Sequence, residues 1–432
     1  MGLMMRLDYL RTMLEKLREH IYAHSGTKQV KLDIYFSPDF DLLAQTPVEQ
    51  YTSEEVVVSP VDYVEYDDEL PIVAIDGSSR VVGTPAFDLI ISTLAAYADG
   101  KMIVFPPIWG GKLLLSKPFL GALPKFDVNP EKIDEFCKLF GGAIRLKTSY
   151  GEPYTRAFSA NTVADEMRYE METDALAVFS KESCLIMMDG PLLPMPPWFY
   201  MKASRRFLKY YLLYGYQIIK RAEVLMTQRN AMVAAVVKNT SMSHYLTKCP
   251  EFVEEYKKIT RKEPKKVVPD VTLIEDILRR REVRTYVIGP FHVEHTGESR
   301  VQQNYSEILK NIKKISNINA PSQIPSKVVC YLCVPIRELG EYRIVRVESC
   351  CEDYKRGAID MAAKTFRVAF DPKVGVTYPI SLADLYARRV SRYLLYTISY
   401  IARTTLGGLT EETLRTLEVV REEEKEEEKI LS

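Results

Sequence analysis

Three short apolar runs in the middle of the chain each end on a charged residue. They lie in Ile72–Asp76, Cys184–Gly190 and Met232–Lys238. Apolar runs of this length are typical of buried strands, because a buried helix needs a longer segment. Longer stretches whose apolar residues recur at helical spacing lie between them. Strands and helices therefore interleave, and the sequence predicts an α/β (α+β) domain.

The flanks of this region differ from it in composition. Residues 3–23 have the apolar spacing of an amphipathic helix, and a polar, acidic stretch follows to about residue 69. We predict that residues 1–69 form an N-terminal extension for dimer or partner contact, and that residues 70–405 form the main domain. The charged and least periodic part, about 250–325, is predicted to be an insertion. Residues 406–432 are predicted to be an acidic helical tail, since six glutamates fall between Glu422 and Glu428.

Composition excludes several classes of protein. The 432 residues contain 58 Lys and Arg against 58 Asp and Glu, so any basic site for nucleic acid must be local. Seven scattered cysteines argue against a disulfide framework. Cys330 and Cys333 lie in an alternating, strand-like segment that would point them to opposite faces, so we expect core cysteines rather than a zinc site. No apolar run is long enough to span a bilayer. We therefore expect a cytoplasmic protein without membrane contact.

Two of the apolar strands end on Asp-Gly, at Asp76 and Asp189. Asp-Gly is a common turn dipeptide, which is one interpretation. The other is metal binding, because aspartates at the ends of neighbouring strands offer the oxygen ligands that Mg²⁺ and Mn²⁺ prefer. Two such ions can activate water and stabilise the leaving oxygen of a phosphodiester.

A third carboxylate is expected from the acidic helix that precedes Asp189. At 100° per residue its buried stripe is centred on Met171, and Phe179 widens it toward Glu172. Glu172 is therefore our choice, although Asp174 lies closer to the stripe on its other side. Glu166 and Glu170 are expected to point toward solvent.

The order of five short segments resembles the NurA nuclease family. They are IVAIDGSSR, RYEMETDALAVF, CLIMMDGPLL, AMVAAVVKNTSMSHYL and, near the C-terminus, GVTYPISLADLYARR. Together they extend from about residue 70 to residue 400. The resemblance implies an RNase H-like mixed sheet flanked by helices. It also implies a deoxyribonuclease of the two-metal type that uses Mn²⁺ or Mg²⁺.

The same resemblance implies residue roles and partners. Asp76, Glu172 and Asp189 would hold the metal, with Tyr378 lining the site. Lys238, at the end of its strand, is a candidate to hold the scissile phosphate. Members of the family resect DNA ends for double-strand-break repair, with 5′-to-3′ exonuclease and endonuclease activity on single strands. They act as homodimers docked to HerA, a hexameric ATPase.

One position departs from the family pattern. The family has histidine eight residues after the tyrosine of the last motif, where this chain has Tyr386. A phenol is a poorer metal ligand and proton carrier than an imidazole near neutral pH. Asp384 or Asp371 could supply a replacement ligand. The alternatives are a catalytically weakened or inactive DNA-binding scaffold subunit of the ATPase complex, or an unrelated RNase H-like nuclease acting on RNA or junctions.

A basic and aromatic helix, predicted over Trp198–Met226, is the candidate for DNA contact. Its cations Arg205, Arg206 and Lys209 would neutralise phosphates, and its tyrosines would stack on unpaired bases. The alternative is a core helix with a basic outer edge.

Overall fold

A computed structural model shows how these segments pack over the residues that it describes. These are residues 2–22, 51–61, 70–107, 115, 117–126, 128–140, 144–155, 158–195, 208–227, 230–240, 243–264, 268–295, 297, 299–315, 318, 320–336 and 339–431.

An eleven-stranded mixed sheet runs through the protein. Its strands are β1 (Val57–Pro60), β2 (Ile72–Gly83), β3 (Phe87–Ala98), β4 (Lys101–Phe105), β5 (Leu120–Pro124), β6 (Ile144–Arg145), β7 (Leu185–Asp189), β8 (Met232–Val237), β9 (Tyr286–Val293), β10 (Lys327–Ile336) and β11 (Glu341–Cys350). They lie in the order β1-β9-β10-β11-β8-β7-β2-β3-β5-β6, and β4 pairs with β3. A short hairpin, β12 (Phe370–Asp371) with β13 (Val376–Thr377), lies apart from the sheet.

Helices pack on both faces of this sheet. They are α1 (Gly2–Tyr22), α2 (Pro130–Phe140), α3 (Ala160–Phe179), α4 (Leu208–Thr227), α5 (Pro250–Thr260), α6 (Asp270–Leu278), α7 (Arg300–Ile312), α8 (Cys351–Lys355), α9 (Ala358–Ala369), α10 (Tyr378–Thr405) and α11 (Glu411–Leu431). The predicted mixed α/β fold is confirmed. No described helix has both the length and the apolar character needed to cross a membrane.

The three apolar runs become the parallel centre of the sheet. β7 lies between β2 and β8 and is parallel to both. Alternate residues of β2 enter different cores: Val73 and Ile75 face α3 and α4, whereas Ala74 faces α9 and α10. Because both faces are covered, these strands need apolar side chains on both sides, and this explains why they do not alternate with polar residues.

Three element boundaries differ from the sequence prediction. β2 continues through the Asp76–Gly77 pair to Gly83, because residues 73–83 stay paired with β3, so this Asp-Gly is not a turn. The sequence predicts that the acidic helix starts after Asn161 or Thr162, either of which is a good N-cap, but α3 begins at Ala160, because Ser159 caps it by accepting a hydrogen bond from the Thr162 amide. The sequence predicts the final helical region from about Leu382, but α10 begins at Tyr378, with a proline in its first turn.

The proposed division of the chain stays a prediction, but the structure shows what each part contributes. Helix α1 packs its apolar side, including Leu14 and Leu17, into the core beneath α10. The segment predicted to be an insertion contains β9, which lies inside the sheet between β1 and β10. Cys330 and Cys333 are buried in different cores on opposite faces of β10, as the alternation predicted. The RNase H-like label also stays a prediction.

The contact between α4 and α7 gives a test of the packing. A Cβ atom on Gly215 would lie 2.5 Å from Cγ2 of Ile308. Replacing glycine by alanine inside a helix stabilises the helix by about 1 kcal/mol. Overpacking a core costs about 1–3 kcal/mol, and because the branched Ile308 side chain is stiff we expect a cost in the upper part of that range. We expect Gly215→Ala to lower the free energy of unfolding by about 1–2 kcal/mol in urea denaturation. Gly297→Ala is the control, because its Cβ meets no atom within 4 Å; a Gly215→Ala protein as stable as this control would contradict the packing.

Candidate metal centre

The parallel pairing of β2 and β7 brings Asp76 and Asp189 to the same level of the sheet. Ile75 lies opposite Met188, and the aspartates are the next residue on each strand. Side chains alternate along a strand, and Ala74 and Met187, two residues before the aspartates, face the core beneath α9 and α10. Both carboxylates therefore project from the face that α10 covers.

Asp384, in the second turn of α10, completes a group of three. Carboxylate oxygens of Asp76, Asp189 and Asp384 all lie within 4.8 Å of one another. Helix α10 is held across β2 in this position by apolar packing and by the hydroxyls of Ser78 and Ser391, which are 3.0 Å apart. Asp76 is buried, and the other two aspartates are partly buried. An oxygen-only group of this kind suits Mg²⁺ or Mn²⁺.

Lys238 neutralises part of this negative charge. Its ammonium Nζ lies 2.5 Å from Oδ2 of Asp189 and 3.4 Å from Oδ2 of Asp384. The lysine follows β8 directly, and Val236, two residues earlier, pairs with Asp189. Burial disfavours the charged amine, but the carboxylates of Asp189 and Asp384 outweigh burial and raise the pKa of Lys238. Arg388, one turn after Asp384, adds a second ion pair at 2.8 Å.

Even with these cations the aspartates carry an excess of negative charge. Burial raises the pKa of Asp76 well above its ordinary value, and the charges of Asp189, Asp384 and Glu172 raise it further, while Lys238 lowers it only in part. Burial also raises the pKa of Asp189 in spite of Lys238. A divalent cation among these oxygens would relieve the repulsion, so the site fits a metal on electrostatic as well as geometric grounds.

Glu172 lies on the other face of the sheet. A Cβ atom added to Gly77 would lie 2.8 Å from Oε1 of Glu172. Because side chains alternate along a strand, this Cβ would project from the face opposite to the one that carries Asp76. Oε2 of Glu172 accepts a hydrogen bond of 2.9 Å from Arg221, which is almost completely buried. Oε1 is buried and accepts no hydrogen bond from the described residues. Glu172 is therefore near Asp76 but outside the group of three, and its role as a ligand stays a prediction.

The expectation that Glu166 and Glu170 point toward solvent is wrong. Glu166 is fully buried and accepts hydrogen bonds from Ser149 and Arg145, and Glu170 pairs with Arg145 and Lys117. Helix α3 lies between the sheet and α4, and the segment around residues 144–150 covers a further side. The sequence prediction assumes that only one stripe of this helix is buried. Because neighbouring elements cover several sides of the helix, that assumption underestimates how many of its residues are buried.

The tyrosines of the last motif lie outside the carboxylate group. Tyr378 begins α10 with 54% of its surface exposed. Tyr386 packs partly into the core on the far side of α10 from Asp384, where the guanidinium of Arg389 lies 5.9 Å from its ring centroid. Of the two possible replacement ligands, Asp384 joins Asp76 and Asp189. Asp371 instead accepts hydrogen bonds in the β12–β13 hairpin and from the start of α10.

The sequence signals for this site were of unequal strength. Asp76 and Asp189 follow conspicuous apolar runs, whereas Asp384 lies within a helix and is marked only by following the Tyr-Pro pair. The opposite charge of Lys238, also at the end of an apolar run, was a signal for its pairing with Asp189. Arg205 and Arg206 lie outside the described residues, and of Lys209 only the backbone, in the first turn of α4, is described.

Comparison with known proteins identifies a family and several structures that this chain resembles. The NurA domain family matches residues 70–389. No curated protein matches the chain. Similar solved structures include the NurA nuclease from Sulfolobus solfataricus (11% identity, 84% of this chain and 90% of that chain, TM-score 0.39) and NurA with manganese (11% identity, 90% and 96%, TM-score 0.35). Another is NurA bound to dAMP and manganese (11% identity, 76% and 86%, TM-score 0.35).

The Arg221–Glu172 ion pair gives a test of the structure beside the site. Arg221→Met would leave the Glu172 carboxylate buried without its closest cation. Removing one partner of a buried pair costs about 3–5 kcal/mol, and we expect a loss of this size in the free energy of unfolding, measured in urea. Arg11→Met is the matched control, because the Arg11–Glu15 pair is about half exposed and worth less than about 1 kcal/mol. Equal losses in the two variants would contradict the assignment.

The raised pKa of Asp76 predicts a stabilising substitution. The folded protein disfavours the Asp76 charge, so its free energy of unfolding falls as the pH rises from about 4, the ordinary pKa, through the raised folded-state pKa. We expect Asp76→Asn to stabilise the protein near pH 7 in EDTA, and to lose this advantage near pH 4. Unfolding curves at both pH values measure it. Asp360→Asn, an exposed aspartate on α9, is the control; an equal gain there, or a gain that persists near pH 4, would contradict the electrostatics.

Proposed function

The chain belongs to the NurA domain family, which matches residues 70–389 of its 432 residues, and from this premise we propose that it is a metal-dependent deoxyribonuclease. The observation that carries the proposal is the group of carboxylates from Asp76, Asp189 and Asp384, whose oxygens lie within 4.8 Å of one another. They come from two adjacent parallel strands and a covering helix, and their charges are only partly balanced by Lys238 and Arg388.

The proposed cofactor is Mn²⁺, with Mg²⁺ as the alternative. Asp76, Asp189 and Asp384 would hold it, because carboxylate oxygens are the ligands that these hard cations prefer. When bound, a divalent ion polarises the phosphodiester and lowers the pKa of a water molecule that attacks it. We propose Glu172 as a further ligand or a support from the opposite face.

Lys238 would have two roles in this mechanism. Without metal, its ammonium neutralises Asp189 and Asp384. With a cation bound to these carboxylates, the ammonium would be available to hold the scissile phosphate of the DNA strand. Tyr378, exposed at the start of α10, would line the entrance to the site.

We propose a biological role at the level of the family. The chain would resect DNA ends in double-strand-break repair, as a single-strand 5′-to-3′ exonuclease and endonuclease. It would act in the cytoplasm as a homodimer with a HerA-type hexameric ATPase, and residues 1–69 would provide contacts for the dimer or for this partner. The competing proposal is an inactive DNA-binding scaffold of the same complex, which Tyr386 in the histidine position favours. Asp384 supports the enzyme, because it supplies an acidic ligand from the same helix.

The first experiment measures cleavage of end-labelled single-stranded DNA with Mn²⁺. We expect the native protein to cut, and Asp76→Ala and Asp189→Ala to reduce the rate by about 100-fold or more, since changes even in outer-shell partners of a metal cost about 10- to 100-fold. Asp360→Ala, an exposed aspartate on α9, is the matched control and should cut at the native rate.

The other outcomes separate the alternatives. No cleavage by the native protein, alone or with its ATPase, would support the scaffold. Cleavage that survives both substitutions would show that Asp76 and Asp189 are not the site. RNA or junction substrates cut faster than single-stranded DNA would support the unrelated RNase H-like nuclease.

A further inference from the structure

Helix α10 has an unusual composition for a chain with no net charge. Its 28 residues include five of the 27 tyrosines of the protein, four arginines and one aspartate. With four positive charges and one negative charge, the helix has a net charge of +3. Asp384 faces the other two aspartates of the candidate metal centre. The remaining charged side chains of the helix are all arginines, and its aromatic side chains are all tyrosines.

Most of these residues fall on one side of the helix. Spacings of three, four and seven residues place side chains on the same face. The opposite side packs into the core beneath β2 and β3 through residues such as Val390, Leu394 and Ile398. We call the outward side the tyrosine stripe, and it consists of Tyr386, Arg389, Tyr393, Tyr396, Tyr400 and Arg403.

The stripe presents aromatic rings to solvent. Tyr393 has 41% of its surface exposed and Tyr400 has 72%. Tyr386 and Tyr396 are partly buried along the edge of the stripe, where they contact the core. Arg389 lies over the ring of Tyr386 at 5.9 Å. Exposed tyrosines interleaved with arginines are typical of surfaces on which unpaired bases stack, because every base has a π face.

The stripe lies near the metal centre along the helix axis, but on the opposite side of α10 from Asp384. Tyr386 is two residues beyond Asp384, and a helix rises about 1.5 Å per residue. Tyr393 and Tyr400 therefore lie about 14 and 24 Å from Asp384 along the helix axis. A strand lying along the stripe would therefore have to pass round α10 to reach the carboxylates.

We propose that the tyrosine stripe binds single-stranded DNA on the outward side of α10. Tyr393 and Tyr400 stack on bases, and Arg389 and Arg403 neutralise phosphates. The occupant is a nucleic-acid strand because the stripe offers only cations and rings, which complement phosphates and exposed bases. It is a single strand because the bases of a duplex already stack on one another. The choice of DNA as the strand rests on the proposed function.

The test measures binding without cleavage. A fluorescently labelled thymidine oligonucleotide of about 30 nucleotides is titrated with the full chain in EDTA, and its anisotropy gives Kd. Each stacked base is worth about fivefold or more in affinity, so Tyr393→Ala with Tyr400→Ala should raise Kd by about 25-fold. Tyr393→Phe with Tyr400→Phe keeps both rings and should bind like the native protein. Tyr9→Ala, which removes a tyrosine 52% exposed on α1, is the matched control.

Salt dependence separates the two kinds of contact. Arg389→Ala and Arg403→Ala should each lower the slope of log K against log salt by about 0.7, whereas the tyrosine variants should leave it unchanged. Circular dichroism melting checks that all variants fold. An unchanged Kd in the double alanine variant, or the same loss in Tyr9→Ala, would overturn the proposal.

Further outcomes distinguish the stripe from its alternatives. If light scattering shows that the double alanine variant loses self-association together with DNA binding, the stripe is an interface between copies and the proposal is overturned. Stripe-dependent binding by a protein that does not cut with Mn²⁺ would support the stripe and contradict the proposed nuclease. If the protein cuts DNA but the tyrosine substitutions leave Kd unchanged, the stripe proposal is contradicted and the proposed nuclease activity is not.

Discussion

The close approach of the carboxylates of Asp76, Asp189 and Asp384 is the main constraint on the surrounding structure. Burial, followed by the charges of Asp189 and Asp384, raises the pKa of Asp76 above its ordinary value. The fold tolerates these charges because Lys238, directly after β8, and Arg388, one turn after Asp384 on α10, form ion pairs with them. The central strands and α10 therefore form a scaffold that holds an unfavourable charge arrangement, as expected at functional sites.

Alternation along β2 divides the acidic residues between two faces of one sheet. Asp76 faces α10, and Gly77 faces α3, where its missing side chain leaves room for Glu172. Glu172 is held there by Arg221, while Glu166 and Glu170 are held by their own cations. Helix α3 therefore carries largely buried ion pairs on the face of the sheet opposite to Asp76, rather than a solvated acidic surface.

Helix α10 has two sides of different chemical character. One side supplies Asp384 to the metal centre and packs on β2, and the other carries the tyrosine stripe. The same helix has Tyr386 where the resemblance implies a histidine, and this tyrosine belongs to the outer side of the helix rather than to the carboxylates. Asp384, two residues earlier, lies with Asp76 and Asp189.

The sequence alone determined that strands and helices interleave and that Asp76, Asp189 and Lys238 end or interrupt apolar strands, because strands buried on both faces leave short continuous apolar runs. The core positions of Cys330 and Cys333 follow instead from alternation along their strand. Only the tertiary structure decided which third carboxylate joins the group, and it brought together Asp384 rather than Glu172. Local periodicity places a residue on a face of its own helix or strand, but the meeting of side chains from β2, β7 and α10 depends on strand register and helix packing, which are non-local.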